Sequence, residues 1–133
     1  MPSKDSARIG RIAEEAARRK YSARAAHSSW HDLRYRNGTP ADVKAAEYSR
    51  NDRYGRFRLW KKAHQKLKAN NGGYVFAVVA NGNVLKLERI GASKVERRVG
   101  GITWYSSGHE GKGKQTKLPW PQVVNYSRQP SRG

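Results

Sequence analysis

Seven consecutive apolar residues, Tyr74 to Ala80 (YVFAVVA), stand in a chain whose mean hydropathy is only −0.97. A strand that is apolar at every position has no face to give to water, so the run is predicted to lie centrally in a sheet covered on both sides. Asn71-Gly72-Gly73 precedes it and Asn81-Gly82-Asn83 follows it, both strong turn signals. A second strand, Val84 to Ile90, then returns. With four Trp and seven Tyr as further buriable surface, 133 residues suffice for one domain with a modest core.

The remaining elements are arranged around that strand. Ile9, Ile12, Ala13, Ala16 and Ala17 recur at helical spacing with arginines largely on other sides, which predicts an amphipathic helix over 6–20 that Ser3 or Ser6 could cap. WHDLRYR (30–36) and PADVKAA (40–46) both alternate, and Asn37-Gly38 between them predicts a β-hairpin with a two-residue turn. Phe57, Trp60, Ala63, His64 and Leu67 recur every three or four residues, predicting a second helix that begins near Phe57 and ends at Asn71. Strand, helix and central strand then read as a parallel crossover. Residues 106–117 (SSGHEGKGKQTK) lack periodicity and read as a basic mobile loop, Leu118 to Val124 re-enters the fold, and 127–133 reads as a frayed tail. The expected organisation is a single domain over 1–126 with its core at about 8–90.

Charge limits the partners. Twenty-eight Lys and Arg against ten Asp and Glu give +18 at neutral pH, a field whose commonest partner is a polyanion, with nucleic acid ahead of anionic lipid. The chain has no cysteine, which removes disulfides, thiol nucleophiles and thiolate metal sites. His27, His31, His64 and His109 lack the paired spacing of a zinc site. No apolar stretch approaches the ~20 residues that span a bilayer. A soluble, intracellular, cytoplasmic protein with no membrane partner is the expectation.

Catalytic chemistry is suggested by acidic residues in this basic chain. If Ala41, Val43 and Ala45 face the core, then Asp42 and Lys44 project together from the other face of their strand. The hairpin returns Asp32 beside Asp42, so two carboxylates converge near one lysine. Oxygen donors of this kind suit Mg2+, with Mn2+ able to substitute, and such an ion offsets the charge of a phosphodiester under attack. Two flanking carboxylates favour the ammonium form of Lys44, which assigns it to orienting water and stabilising developing charge. An Asp-x-Lys on a strand is also the ordinary pattern of a surface salt bridge.

The order Gly10-x-x-x-Glu14 on a first helix, then Asp32, then Asp42-Val43-Lys44, then a helix with Gln65 and the apolar strand, resembles the PD-(D/E)XK nuclease superfamily. It is most similar to the small archaeal Holliday-junction-resolvase and restriction-endonuclease-like branch, with the likeness running over residues 8–80. The resemblance implies an α/β fold of restriction-endonuclease type: an αβββαβ core with a central mixed sheet flanked by helices. It implies metal-dependent hydrolysis of DNA phosphodiesters, catalytic roles for Asp32, Asp42, Lys44 and Glu14, and metal ligation by Asp32, Asp42, Glu14 and the Val43 carbonyl. Two positions depart from the pattern: His31 stands where Pro is usual, and Asp42 is shorter than the commoner Glu.

Candidate DNA contacts are Ser28 and Ser29 beside Asp32, Arg50, Arg53, Arg56 and Arg58 interleaved with Tyr48, Tyr54 and Phe57, Gln65 as the resemblance places it, and Lys112, Lys114 and Lys117. The substrate is expected to be duplex or branched DNA. The competing reading, a non-catalytic basic nucleic-acid-binding protein, gains nothing from two carboxylates in a cationic cleft. Cutting two strands in concert calls for a homodimer, with Ile90, Val95, Val99, Ile102, Trp104 and Tyr105 as candidates for its apolar interface.

Overall fold

The computed structural model describes residues 4–108 and 113–127. The chain runs α1 (Lys4–Tyr21), β1 (Arg24–Ala25), β2 (Leu33–Arg34), β3 (Pro40–Glu47) and β4 (Arg56–Trp60). It continues through α2 (Lys61–Ala69), β5 (Gly73–Ala80), β6 (Asn83–Gly91) and α3 (Ala92–Arg98). It closes with β7 (Tyr105–Ser106), β8 (Lys114–Pro119) and α4 (Trp120–Val123).

The apolar run forms β5, inside a five-stranded sheet of order β1-β2-β3-β5-β6. β3 and β5 are parallel, with Asp42 opposite Tyr74 and Lys44 opposite Phe76, while the other pairs are antiparallel. Alternation along β5 divides the core. Val75, Ala77 and Val79 pack with Ala13 and Ala17 of α1, together with Leu33, Tyr35, Ala41 and Leu87. Tyr74, Phe76 and Val78 pack on the opposite side with Phe57, Leu59, Leu67, Ile90, Val95, Leu118 and Trp120. Counting α1, β1, β2, β3, α2 and β5 gives the αβββαβ core, with β6 extending the sheet.

Three local expectations are corrected. Arg56 to Trp60 is a strand, not the first turn of the second helix: Phe57 and Leu59 are buried while Arg56 and Arg58 are exposed, a period of two that the adjacent helical spacing concealed. Residues 114–117 are likewise not loop but part of β8, which pairs with β4 and β7 in a second, three-stranded sheet. Thr116 and Leu118 face inward there, and the exposed Lys114 and Lys117 had masked the alternation. The hairpin turn is longer than two residues. The Tyr35 N–H donates to the Thr39 carbonyl at 3.0 Å, Gly38 takes φ of +86°, and Asn37 Oδ1 accepts from the Thr39 N–H. Its ladder is short, pairing only Leu33 with Ala41 and Arg34 with Pro40, and before it Ser28 Oγ accepts from the Trp30 and His31 N–H groups.

The six residues expected at a dimer interface are mostly committed to the monomer. Ile90 and Val95 are buried in the core, and Val99, Ile102 and Trp104 pack against it, leaving Tyr105 exposed. Trp104 lies 5.5 Å from the ring of His64, itself held between the Tyr74 hydroxyl at 2.8 Å and Glu96 Oε1 at 2.9 Å. Burial holds the His64 imidazole below its ordinary range, so the neutral ring can accept from Tyr74 and donate to Glu96. This network joins β5, α2 and α3.

Candidate active site and nucleic-acid groove

The β2–β3 register ends with Leu33 opposite Ala41, and Asp32 stands just before it, beside the start of β3. The Asp32 N–H donates to the Ala41 carbonyl at 3.0 Å, and Asp32 Oδ2 accepts from the Val43 N–H at 2.9 Å. Lys44 Nζ lies 3.0 Å from Asp42 Oδ2. Alternation along β3 therefore places Asp42 and Lys44 on one face, while Ala41, Val43 and Ala45 face α1.

Two facing carboxylates cannot both remain charged cheaply when one is buried. Burial pushes the Asp42 carboxyl up to about 7; Lys44 pulls against this, and the neighbouring Asp32 charge adds to it. Burial also opposes ionisation of Asp32, but hydrogen bonding from Asp42 and from the Val43 N–H, with the Lys44 charge, outweighs it and holds that carboxyl below its usual value. The pair can thus share a proton, with Asp42 as donor. A divalent cation would relieve the same repulsion, and the donors present, carboxylates and a backbone carbonyl, are the hard oxygen ligands that Mg2+ takes. The residues fit such an ion.

Asp32 joins two groups of side chains. Its Oδ2 faces β3, while Oδ1 lies 3.5 Å from His27 Nδ1, and His27 Nε2 lies 2.8 Å from Glu14 Oε1 on α1. Glu14, His27 and Asp32 each offer one ligand atom, all within 4.8 Å of one another. Glu15, the other acidic residue of that turn, instead pairs with Arg19 one turn along. His27, set aside on histidine spacing as a zinc ligand, is the neighbour that the sequence did not place at this site. It lies on an irregular loop five positions before Asp32.

Val43 and Lys44 also belong to the wall of an open groove of about 1430 Å³, larger than the usual small-ligand pocket. Arg50, Arg53, Arg56, Arg58 and Lys117 line it, and among the described residues no ion pair engages any of them. Arg50 and Arg53 face each other across a two-residue hairpin, each N–H donating to the other's carbonyl at 2.7 and 3.0 Å. Its central residues, Asn51 and Asp52, take φ of 51° and 62°, the left-handed region that these two residue types tolerate best after Gly. Gly55 anchors the base of this arm. Its N–H donates to the Glu47 carbonyl at 3.0 Å, and a Cβ there would stand 2.2 Å from that oxygen.

The other candidate contacts lie apart from this arrangement. Ser28 Oγ is engaged in the turn before Asp32, and Ser29 is exposed beside it. Gln65 is exposed on α2 and Lys114 on β8, neither among the residues lining the groove. Lys112 lies outside the described residues.

A five-stranded mixed sheet flanked by helices, with an acidic pair and a lysine where β2 meets β3, defines a restriction-endonuclease-like fold. The family model described as the PD-(D/E)XK nuclease superfamily domain matches residues 1–125, and the chain belongs to that superfamily. It is a nuclease domain. A search among curated proteins finds no match to the chain.

Proposed function

We propose that this protein is a divalent-metal-dependent DNA endonuclease, resolvase-like or restriction-like, using Mg2+ and able to accept Mn2+. The observation that carries the reading is the contact between Asp32 and Asp42, with Lys44 3.0 Å from Asp42 and itself lining a groove whose arginines make no ion pair among the described residues. Carboxylates beside such a groove repel phosphate, so the arrangement favours a catalytic site over a purely electrostatic binder.

Asp32, Asp42, Glu14 and the Val43 carbonyl would hold the ion, which when bound supplies charge neutralisation and a water of lowered pKa. Lys44, fixed by Asp42, would hold a water or a phosphate oxygen and stabilise charge developing on it. Arg50, Arg53, Arg56, Arg58 and Lys117 would bind the DNA backbone and set the scissile phosphate against the carboxylates. A soluble intracellular location and a homodimer complete the proposal, since one chain carries one such centre. Among the described residues no helix is long and apolar enough to cross a membrane.

The test is incubation of purified protein with labelled four-way junction, duplex, flap and single-stranded DNA, with Mg2+ and with EDTA. Cleavage of at least one DNA with Mg2+, abolished by EDTA, is expected. Binding without cleavage of any of them would favour the non-catalytic reading.

A further inference from the structure

We propose that His27 is a nitrogen donor to the metal position at Asp32 and Glu14, and that this imidazole gives the site a preference for first-row transition dications over Mg2+. The proposal rests on the metal-dependent reading above. It concerns which ion the site prefers and which residue sets that preference.

The geometry carries it. Neighbouring donors around an octahedral ion at about 2.1 Å stand about 3 Å apart. His27 Nε2 is 2.8 Å from Glu14 Oε1, close to that value, while Nδ1 on the other side of the ring is 3.5 Å from Asp32 Oδ1, and one ligand atom from each of the three residues lies within 4.8 Å of the other two. The ring faces one carboxylate with each nitrogen. A ligating histidine commonly has that arrangement, one nitrogen on the metal and the other donating to a carboxylate that fixes the ring.

The loop also holds His27 in place from both sides. The Ala26 N–H donates to the Asp32 carbonyl at 2.9 Å, and the Ser28 N–H donates to the His31 carbonyl at 2.9 Å. The His27 side chain is itself 59% exposed and takes no part in either core cluster, so packing does not account for an imidazole at this position. Imidazole binds borderline ions well, whereas Mg2+ favours oxygen. Removing the ring should therefore weaken a transition dication far more than Mg2+.

Mn2+ is the probe, because it stands lowest in the first-row affinity order and so gives the hardest case for the preference. Bound Mn2+ is followed by electron paramagnetic resonance, with spin-echo modulation reporting directly coordinated ¹⁴N, and Mg2+ affinity is followed by competition. Wild type, His27→Gln and Asp32→Asn are compared, each first checked for an intact thermal transition. The expected result is nitrogen coupling in wild type that disappears in His27→Gln, with Mn2+ affinity falling ~10-fold or more and Mg2+ affinity little changed. Bound Mn2+ that Asp32→Asn weakens but that shows no nitrogen coupling, or a coupling that survives in His27→Gln, overturns the role of His27 and leaves the carboxylate site standing. Failure of wild type to bind Mn2+, or binding indifferent to Asp32→Asn, overturns both readings.

Discussion

The Asp32 and Asp42 carboxyls meet beside the start of β3 close enough to share a proton, although one is held ionised and the other is pushed up to about 7. Asp42 thus binds a proton in the folded state at pH values where the unfolded chain has released it. Stability without metal should therefore fall as pH rises from about 4 through about 7. Asp42→Asn keeps the shape and removes the titration. At pH 8 without metal the variant should be more stable than wild type by about 2–4 kcal/mol, since each tenfold difference in proton affinity between the folded and unfolded chain is worth about 1.4 kcal/mol, and the gap should close toward pH 4. Urea unfolding at both pH values checks this, and equal gaps would refute it.

Removing either carboxylate should separate cutting from binding. Asp42→Ala or Asp32→Asn is expected to abolish Mg2+-dependent cleavage while DNA affinity holds or rises, because a repulsion toward phosphate goes with the ligand. Cleavage assays and filter binding on the same preparations decide it. Undiminished cutting by both variants would remove these residues from the site.

The hairpin arginines should act as phosphate contacts. Duplex binding is expected to weaken steeply with salt, with a log-log slope of several units, and Arg50→Ala or Arg53→Ala should each reduce the slope by about 0.9 irrespective of sequence. Fluorescence anisotropy over a salt series measures it. An unchanged slope in both variants would place the DNA path elsewhere.

Gly55→Ala should be among the most destabilising single changes in the protein. Its Cβ would meet the Glu47 backbone oxygen at 2.2 Å, where neither backbone segment can yield without breaking the 3.0 Å bond beside it. A loss of at least ~3 kcal/mol is expected, larger than typical core overpacking because the obstacle is backbone. Chemical denaturation measures the loss, and a change below ~1 kcal/mol would contradict the close approach.

Assembly is tested by sedimentation at micromolar concentration in moderate salt, with and without a four-way junction. A dimer of twice 15.0 kDa is expected on the argument of two-strand cutting. Trp104→Ala should destabilise the monomer fold and leave the subunit contact unchanged, because Trp104 packs on His64 and the core. A monomeric mass in both conditions would favour an enzyme that nicks one strand at a time.

Features that depend on local periodicity were legible before any folding of the chain was considered. The unbroken run from Tyr74 to Ala80 could be satisfied only between two covering layers, and the amphipathic spacing from Ile9 to Ala17 could bury only one stripe. Strand alternation likewise placed Asp42 and Lys44 on one face whatever the rest of the chain did. Long-range packing settled what lay between conflicting periods or across distant segments. Phe57 to Trp60 satisfies a helical spacing and a strand alternation equally well, and pairing with β8 resolved it as strand. The lysines of β8 looked like loop until a partner strand gave their backbone somewhere to bond. His27 carries no local signal at all: its neighbours Glu14 and Asp32 come from a helix thirteen residues earlier and a strand end five residues later, and only the packing of α1 on the sheet brings the three together.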